Sequence, residues 1–373
     1  MSLLKLDSIK KIIIISISGM GTTIMFSPLL HSIKKHIPNA KITVLVGSNS
    51  TSNFLQNNPN VDNIIVWDFF KNGKLATIKF LLELRRKKFD LSLNVYPNLR
   101  KEHNVVAYLI GSKYRLSHDP PNSKFSRLYF LINKRIPINF SVHDIENNKN
   151  LLHHIGIDTE HQTPFIYLSS QNHLDANKFL STNHVQENQL LVGARVGDLS
   201  STEGRNWSPE KFSKLFRLLI QQKIKIIIFS NSQDHDIIKK LDADIKDKLL
   251  IYENPDIRNV AALIEKCHCF ISDDSGLMHV ASSVNTPIVA LFGPTNQKWT
   301  SPISKNYKII TSDMDCSPCL NRINPPSGHD SQKFNLIQCH IEDKFACMKN
   351  LSENDVFFAV TNFLKTNGDN KSN

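Results

Sequence analysis

The chain has 373 residues, more than a single hydrophobic core usually serves, so two domains are expected. Its composition is 40% hydrophobic and 21% charged with a mean hydropathy of -0.25, which excludes a disordered, collagen-like or disulfide-scaffold protein. The formal net charge is +11, and the whole excess lies in residues 1–180, which carry 23 Lys and Arg against 12 Asp and Glu.

No window approaches the roughly 18 consecutive apolar residues of a membrane-spanning helix. The run at residues 12–15 is too short for the apolar centre of a signal peptide, so a cytosolic protein is expected. In that compartment its six cysteines are thiols or metal ligands rather than disulfides.

In chain order, a β-branched strand at residues 11–18 ends in Gly19-Met20-Gly21 and is followed by a helical pattern from Thr22 to about His36, closed by Pro38. Strands follow at residues 41–46 and 64–67, a helix at 74–88, a strand at 90–95 and a helix from about 100 to 110. The polar stretch 169–189 reads as a linker. After it the same grammar returns, with strands at 189–194, 224–230, 249–252, 269–272 and 287–292. Helices at 209–221, 234–241, 257–266 and 275–284 alternate with them. Such alternation implies parallel sheets covered on both faces, hence an α/β protein of two Rossmann-like domains facing across a cleft. The expected division is residues 1–170, residues 186–350, and a C-terminal helix with a polar tail at 351–373.

Nucleic acid, an anionic membrane face or an acidic acceptor could each use the basic first half, although the run Arg85-Arg86-Lys87-Lys88 reads most simply as a solvated helix end. Gly19-Met20-Gly21 suggests a dinucleotide turn, but Ile24 stands where the third glycine belongs, which disfavours a nicotinamide oxidoreductase. A stronger signal is Ser272-Asp273-Asp274-Ser275-Gly276-Leu277-Met278-His279, a strand running into a helix. A helix start with Ser275 and Gly276 in its first turn suits an anion, and His279 lies one turn on from Ser275 on the same face. A plain Asp or Ser cap is the competing reading. The next strand ends in Gly293-Pro294-Thr295, at the sheet edge where open α/β sheets bind ligands.

Taken with residues 16–30, including Pro28, with Gly204-Arg205-Asn206-Trp207-Ser208-Pro209-Glu210-Lys211-Phe212 and with a cysteine-rich segment at 316–348, these blocks resemble the family 9 glycosyltransferases. The best-known members of that family are the ADP-heptose transferases of lipopolysaccharide core assembly. The resemblance implies a GT-B fold, with the nucleotide-sugar donor held mainly by the C-terminal domain and a glycan or glycolipid acceptor by the N-terminal one. It implies inverting transfer with no metal required for chemistry, a cytoplasmic enzyme at the inner face of the inner membrane, peripheral contact with anionic lipid, and no nucleic acid. Asp274, Ser275, Gly276, Leu277 and His279 would hold the donor diphosphate, with Gly19, Gly21, Gly293, Pro294 and Thr295 nearby. Arg205 would neutralise phosphate charge as the glycosidic bond breaks.

One departure concerns mechanism. Family members usually carry Asp where this chain has Thr22, and threonine takes up no proton near neutral pH. Asn94 likewise stands where many relatives have an acid. Another carboxylate, His31 or His103 would then serve as base, or the chain is a catalytically impaired nucleotide-sugar-binding protein. Asp234 or Asp236 would contact the nucleoside or face solvent. Cys316 and Cys319, followed by Cys339 and Cys347, have the composition of a structural zinc or iron site, with packed free thiols as the alternative. Cys267 and Cys269 read as buried hydrophobes on a strand.

Overall fold

The computed structural model describes residues 4–97, 101–119, 128–160, 163–197, 204, 206–231, 234–319, 339 and 341–369. The chain divides into two compact units, Met1–Tyr167 and Leu168–Asn373.

The first unit carries one six-stranded sheet. Strands β1 (Lys11–Ser16), β2 (Lys41–Val46), β3 (Asn63–Val66), β4 (Leu91–Asn94), β5 (Tyr114–Asp119) and β6 (Lys134–Pro137) lie in the order β3-β2-β1-β4-β5-β6. Every neighbouring pair is parallel, with Ile14 opposite Val44 on one side and Leu93 on the other. Because helices cover both faces, β1 is buried from Ile12 to Ser16 and reads as a continuous aliphatic run rather than an alternation. The helices are α1 (Met20–Phe26), α2 (Pro28–His36), α3 (Asn49–Leu55), α4 (Lys74–Arg85), α5 (Lys101–Ile110) and α6 (Asp144–His153). Leu81 and Leu84 of α4, with Val106, Ala107 and Ile110 of α5, pack on Ile13 and Ile15.

The second unit repeats the plan. Strands β7 (Leu191–Arg195), β8 (Lys225–Ser230), β9 (Leu250–Glu253), β10 (Cys269–Asp273), β11 (Ile288–Phe292) and β12 (Tyr307–Thr311) lie in the order β12-β11-β10-β7-β8-β9, again all parallel. Its helices are α7 (Ser170–Thr182), α8 (Pro209–Gln221), α9 (His235–Lys239), α10 (Ala243–Lys246), α11 (Ile257–Lys266), α12 (Gly276–Ser283), α13 (Gln297–Thr300), α14 (Ala346–Lys349) and α15 (Glu353–Asp369). Helix α8 starts on Ser208, whose side chain accepts from the Lys211 N–H, with Pro209 in its first turn. It buries Phe212, Leu215, Phe216 and Leu219 in a core shared with Val356, Val360 and Leu364 of α15. In each unit the strand order reverses beside the first strand, between β1 and β4 and between β7 and β10. Crevices at the carboxyl edge of such reversals are where open α/β sheets place ligands.

Four differences from the sequence expectation have local causes. The first helix is two helices, because Pro28 supplies no N–H and starts α2 afresh after Ser27. The stretch 169–189 is largely helix α7, not a linker. Ser169 and Asn172 form a reciprocal capping box, and α7 packs on α11. Strands β5 and β6 and helix α6 have no counterpart among the expected elements, because polar side chains fill them. His118, fully buried on β5, lies 2.9 Å from the Asn147 carbonyl on α6, and Asn148 bonds both the N–H and the carbonyl of Tyr96. Burial pushes the His118 imidazole down to about 4, so it stays neutral. Finally, Cys267 caps α11 rather than lying on a strand; both it and Cys269 are buried, and burial pushes the Cys269 thiol up to about 12.

Candidate active site

In the second unit the reversal is marked by charge. Arg195 closes β7 and Asp273 closes β10, and Nη1 of Arg195 donates to both carboxylate oxygens at 2.9 and 2.7 Å. The side chains are only 14% and 6% exposed, so neither charge is left to water. Gly197 makes room for this pair: a Cβ there would lie 2.5 Å from Arg195 Nη1 and 2.3 Å from Asn206 Oδ1. Asn206 is thus held beside Arg195, and the next residue, Trp207, is buried with its indole N–H donating to the Leu351 carbonyl. Arg205, assigned to phosphate neutralisation by resemblance, lies outside the described residues. Sequence reading missed the Arg195–Asp273 pair. The available signal was a lone arginine ending the apolar strand Leu191-Val192-Gly193-Ala194, with an acid ending another.

Beside the pair begins α12. Ser275 occupies its cap position with extended backbone, but its side chain makes no cap bond. Ser272 donates its hydroxyl to the Asp273 carbonyl, so the Ser275 hydroxyl, 3.0 Å away, donates to Ser272 Oγ. The simple cap is therefore not what the structure shows, and the first-turn N–H groups take no side-chain acceptor from Ser275. With Gly276 at the first helical position, that end of the helix suits an anion. Asp274 accepts from the Thr300 hydroxyl at 3.1 Å, which ties the loop to α13. Gly276 and Leu277 are half-buried, and His279 is buried one turn along α12. Of the two acids suggested for the nucleoside, Asp234 is buried and accepts the Asn231 N–H, whereas Asp236 is exposed beside Lys239.

Gly293, Pro294 and Thr295 follow β11 and are buried. A Cβ on Gly293 would meet Met348 Sδ at 2.5 Å and Cys347 Sγ at 3.1 Å, and the Gly293 carbonyl accepts from the Ser317 hydroxyl at 2.6 Å. The loop is therefore packed against the cysteine-bearing segment. Cys316 is exposed, Cys319 and Cys339 are half-buried, and Cys347 is buried in the core. The Phe345 N–H donates to Cys339 Sγ at 3.2 Å. Burial, then the neighbouring thiols, push Cys347 up to about 11 and raise Cys319. Among the described residues no three His, Cys, Asp or Glu side chains are arranged to hold a metal ion.

In the first unit the turn after β1 sits at the reversal between β1 and β4. Gly19 is extended, with open space where a side chain would be, so it adopts a conformation open to any residue. Gly21 and Thr22 lie half-buried in the first turn of α1. Thr23 is hydrogen-bonded to Ser16 and to the Gly19 carbonyl. Ser18 donates to the Pro97 carbonyl at 3.1 Å, and its Oγ lies 3.2 Å from Nε2 of the buried His103. His31 is exposed on α2, so of the two histidines suggested as bases His103 is the one that meets this turn. Asn94 is fully buried, donating to Asn104 and Ser117.

Replacing Arg195 by alanine leaves the Asp273 carboxylate buried without its partner. The expected cost is about 3–5 kcal/mol of the second unit's stability, as measured by urea denaturation. Arg195→Ala combined with Asp273→Asn should recover a large part of that loss.

The sequence model of glycosyltransferase family 9 (heptosyltransferase) matches residues 77–328, more than half of the chain. A lipooligosaccharide heptosyltransferase 2 of Campylobacter jejuni is 25% identical over 357 residues, covering 93% of this chain and 96% of the relative. Among solved structures, the family 9 glycosyl transferase of Veillonella parvula superposes with a TM-score of 0.76 at 22% identity, covering 98% of this chain and 99% of that one. The ADP-heptose lps heptosyltransferase II of E. coli does so with a TM-score of 0.70 at 18% identity, covering 96% and 99%. Two Rossmann-like units with these neighbours make the GT-B fold, and the chain belongs to glycosyltransferase family 9 as a glycosyltransferase of heptosyltransferase type.

Proposed function

We propose that the chain transfers heptose from ADP-heptose, with inversion, to a glycan or glycolipid acceptor of the lipopolysaccharide-core type, at the inner face of the inner membrane. The observation that carries this reading is the start of α12 at the β7–β10 reversal. There the cap side chain is turned to Ser272, and Arg195 and Asp273 fix the strand ends beside it. A diphosphate placed there would be met by first-turn N–H groups, with Asp274, Ser275, Gly276, Leu277 and His279 around it. As the acceptor oxygen bonds to the anomeric carbon, the bond from that carbon to the β-phosphate oxygen breaks. Its electron pair leaves on ADP, and oriented N–H donors favour that charge. The names of the C. jejuni and E. coli relatives support heptose and, for the E. coli enzyme, ADP.

ADP-heptose should raise the melting temperature of the protein; at a hundredfold excess over its Kd the gain is about 2.7 kcal/mol. His279→Ala should reduce that gain without lowering the melting temperature of the ligand-free protein by a comparable amount. An unchanged response to ADP-heptose in the variant would move the donor elsewhere.

A second reading rests on Thr22. Its hydroxyl holds no proton-accepting charge at neutral pH, so the turn that faces the expected acceptor lacks a carboxylate, and a nucleotide-sugar-binding protein with slow transfer follows. Thr22→Asp places a carboxylate in the first turn of α1, where the helix favours it by roughly 0.3–1 kcal/mol. If the parent is slow for want of a base, transfer should rise by about 10²–10⁴-fold. If the parent is already fast and the variant loses activity, another group, with His103 the first to test, takes the proton.

Among the described residues the four C-terminal cysteines are not gathered into a metal site in this arrangement, and binding one zinc or iron ion would draw Cys316, Cys319, Cys339 and Cys347 together. Burial and then the neighbouring cysteine sulfurs raise Cys319 and Cys347, and Cys339 accepts a backbone N–H, as a thiolate ligand does. Because cysteine ligates a metal as thiolate, binding must release protons and should strengthen as pH rises. Elemental analysis of protein purified without added metal should find about one ion per chain, lost in Cys316→Ser/Cys319→Ser. Metal-free protein of undiminished stability would refute the site.

A further inference from the structure

Helix α4 has two apolar faces, and the core uses one. Phe80, Leu81 and Leu84 turn inward, with Phe80 stacked on Trp67 at 4.0 Å between ring centroids. Leu75, Ile78 and Leu82 form a second stripe that stays in water, 85%, 43% and 45% exposed, and Phe70 just before the helix is 87% exposed. Three large side chains at helical spacing on an outer face, extended by an exposed phenylalanine, are more than the scattered apolar exposure of an ordinary surface.

The charge around the stripe has one sign. Residues 71–88 hold seven Lys and Arg against the single acid Glu83. The stripe runs into an open cavity of about 630 Å³ at the C-terminal end of α4. Leu82 lines it together with Arg85, Arg86, Lys88 and Lys113, and its one carboxylate is Asp90. Asp90 is already engaged, accepting the backbone N–H groups of Lys10 and Lys11 at 2.8 and 2.9 Å. The Arg85 guanidinium is set by the backbone: a Cβ on Gly111 would lie 2.9 Å from Arg85 Cζ, and Gly111 has a φ of +72°. Arg115 stands near enough to Arg85 to feel its charge, so the cations are gathered rather than dispersed. The cavity opens beside Asp90 and Lys113, which precede β4 and β5, at the edge of the sheet opposite the Gly19–Thr22 turn.

We infer that the outer face of α4 is a membrane-docking surface, with Phe70, Leu75, Ile78 and Leu82 entering the interface of an anionic bilayer and the Arg85, Arg86, Lys88 and Lys113 cavity receiving lipid phosphate. An apolar stripe bordered by cations on an otherwise folded helix matches the chemistry of an anionic lipid surface, apolar below and negative at the headgroups. Among the described residues no helix is long and apolar enough to cross a membrane, so contact through this face lies on the surface of the bilayer. Helix α4 runs from the end of β3 to the start of β4, so a bilayer along it also reaches toward the sheet edge that carries Thr22. That consequence rests on the transferase reading given above; the docking itself does not.

The test is flotation of the full chain with phosphatidylcholine vesicles, with and without phosphatidylglycerol, in the absence of any sugar donor. Binding should require phosphatidylglycerol and fall as salt rises, yet persist in part at high salt. Arg85→Gln and Arg86→Gln should each weaken it about fivefold. Leu75→Ser with Ile78→Ser should weaken it about tenfold and abolish the salt-resistant part. All four positions are exposed, so circular dichroism and the melting response to ADP-heptose should stay at parental values, which separates this surface from the donor site. Binding of the parent to neutral vesicles alone, no binding to either vesicle, or variants that bind like the parent would each overturn the proposal. So would a concentration-dependent dimer lost in Leu75→Ser without vesicle binding, since the stripe would then serve a second copy.

Discussion

Everything chemical in this chain follows from burying parallel strands on both faces. Once helices cover β1 and β10, no side chain in mid-strand reaches solvent, and polar chemistry is pushed to the strand ends. At the carboxyl edge, the crossovers from β1 and β4, and from β7 and β10, leave in opposite directions and open a crevice in each unit. The residues found there are Ser18 and Thr22 in the first sheet, and Arg195, Asp273 and Ser275 in the second. Rigid strands hold the backbone from which these side chains project.

The second crevice shows how a charged pair and an uncapped helix support each other. Burying Arg195 alone would leave a cation without partner, and burying Asp273 alone an anion; together they are nearly neutral. Their joint neutrality leaves the start of α12 and the Asp274 carboxylate just before it to set the field at that edge. Turning Ser275 toward Ser272 keeps the helix start from being satisfied by its own cap, which is what an anion-binding end requires and a purely structural end avoids.

Elements that the core specifies were legible in the residues; elements that polar networks specify were not. The isoleucine run of β1, the Ser-Pro start of α8 and the Asp274-Ser275-Gly276 helix start all state their geometry locally. By contrast, β5 carries Arg115, Ser117 and His118, and α6 carries three asparagines. Their side chains are held by bonds between distant elements: His118 meets the Asn147 carbonyl, and Asn147 and Asn148 bond Asn139 and Tyr96. Helix α7 reads as a linker because its outward residues are polar, although Ser169 and Asn172 carry its capping box. The Arg195–Asp273 pair joins residues 78 apart and depends on strand order, which no local pattern encodes.

The distribution of charge then gains a structural sense. The +11 excess is confined to the first half. Among the described residues, part of it gathers along α4 and at the starts of β4 and β5, beside leucines and a phenylalanine that the core leaves outside. Cations that serve only solubility are better interspersed with acids and kept away from exposed apolar groups, since both features together invite association. A helix that buries one apolar face in its core and keeps a second among cations bears an association cost in free solution, and that cost is offset once an anionic surface covers it.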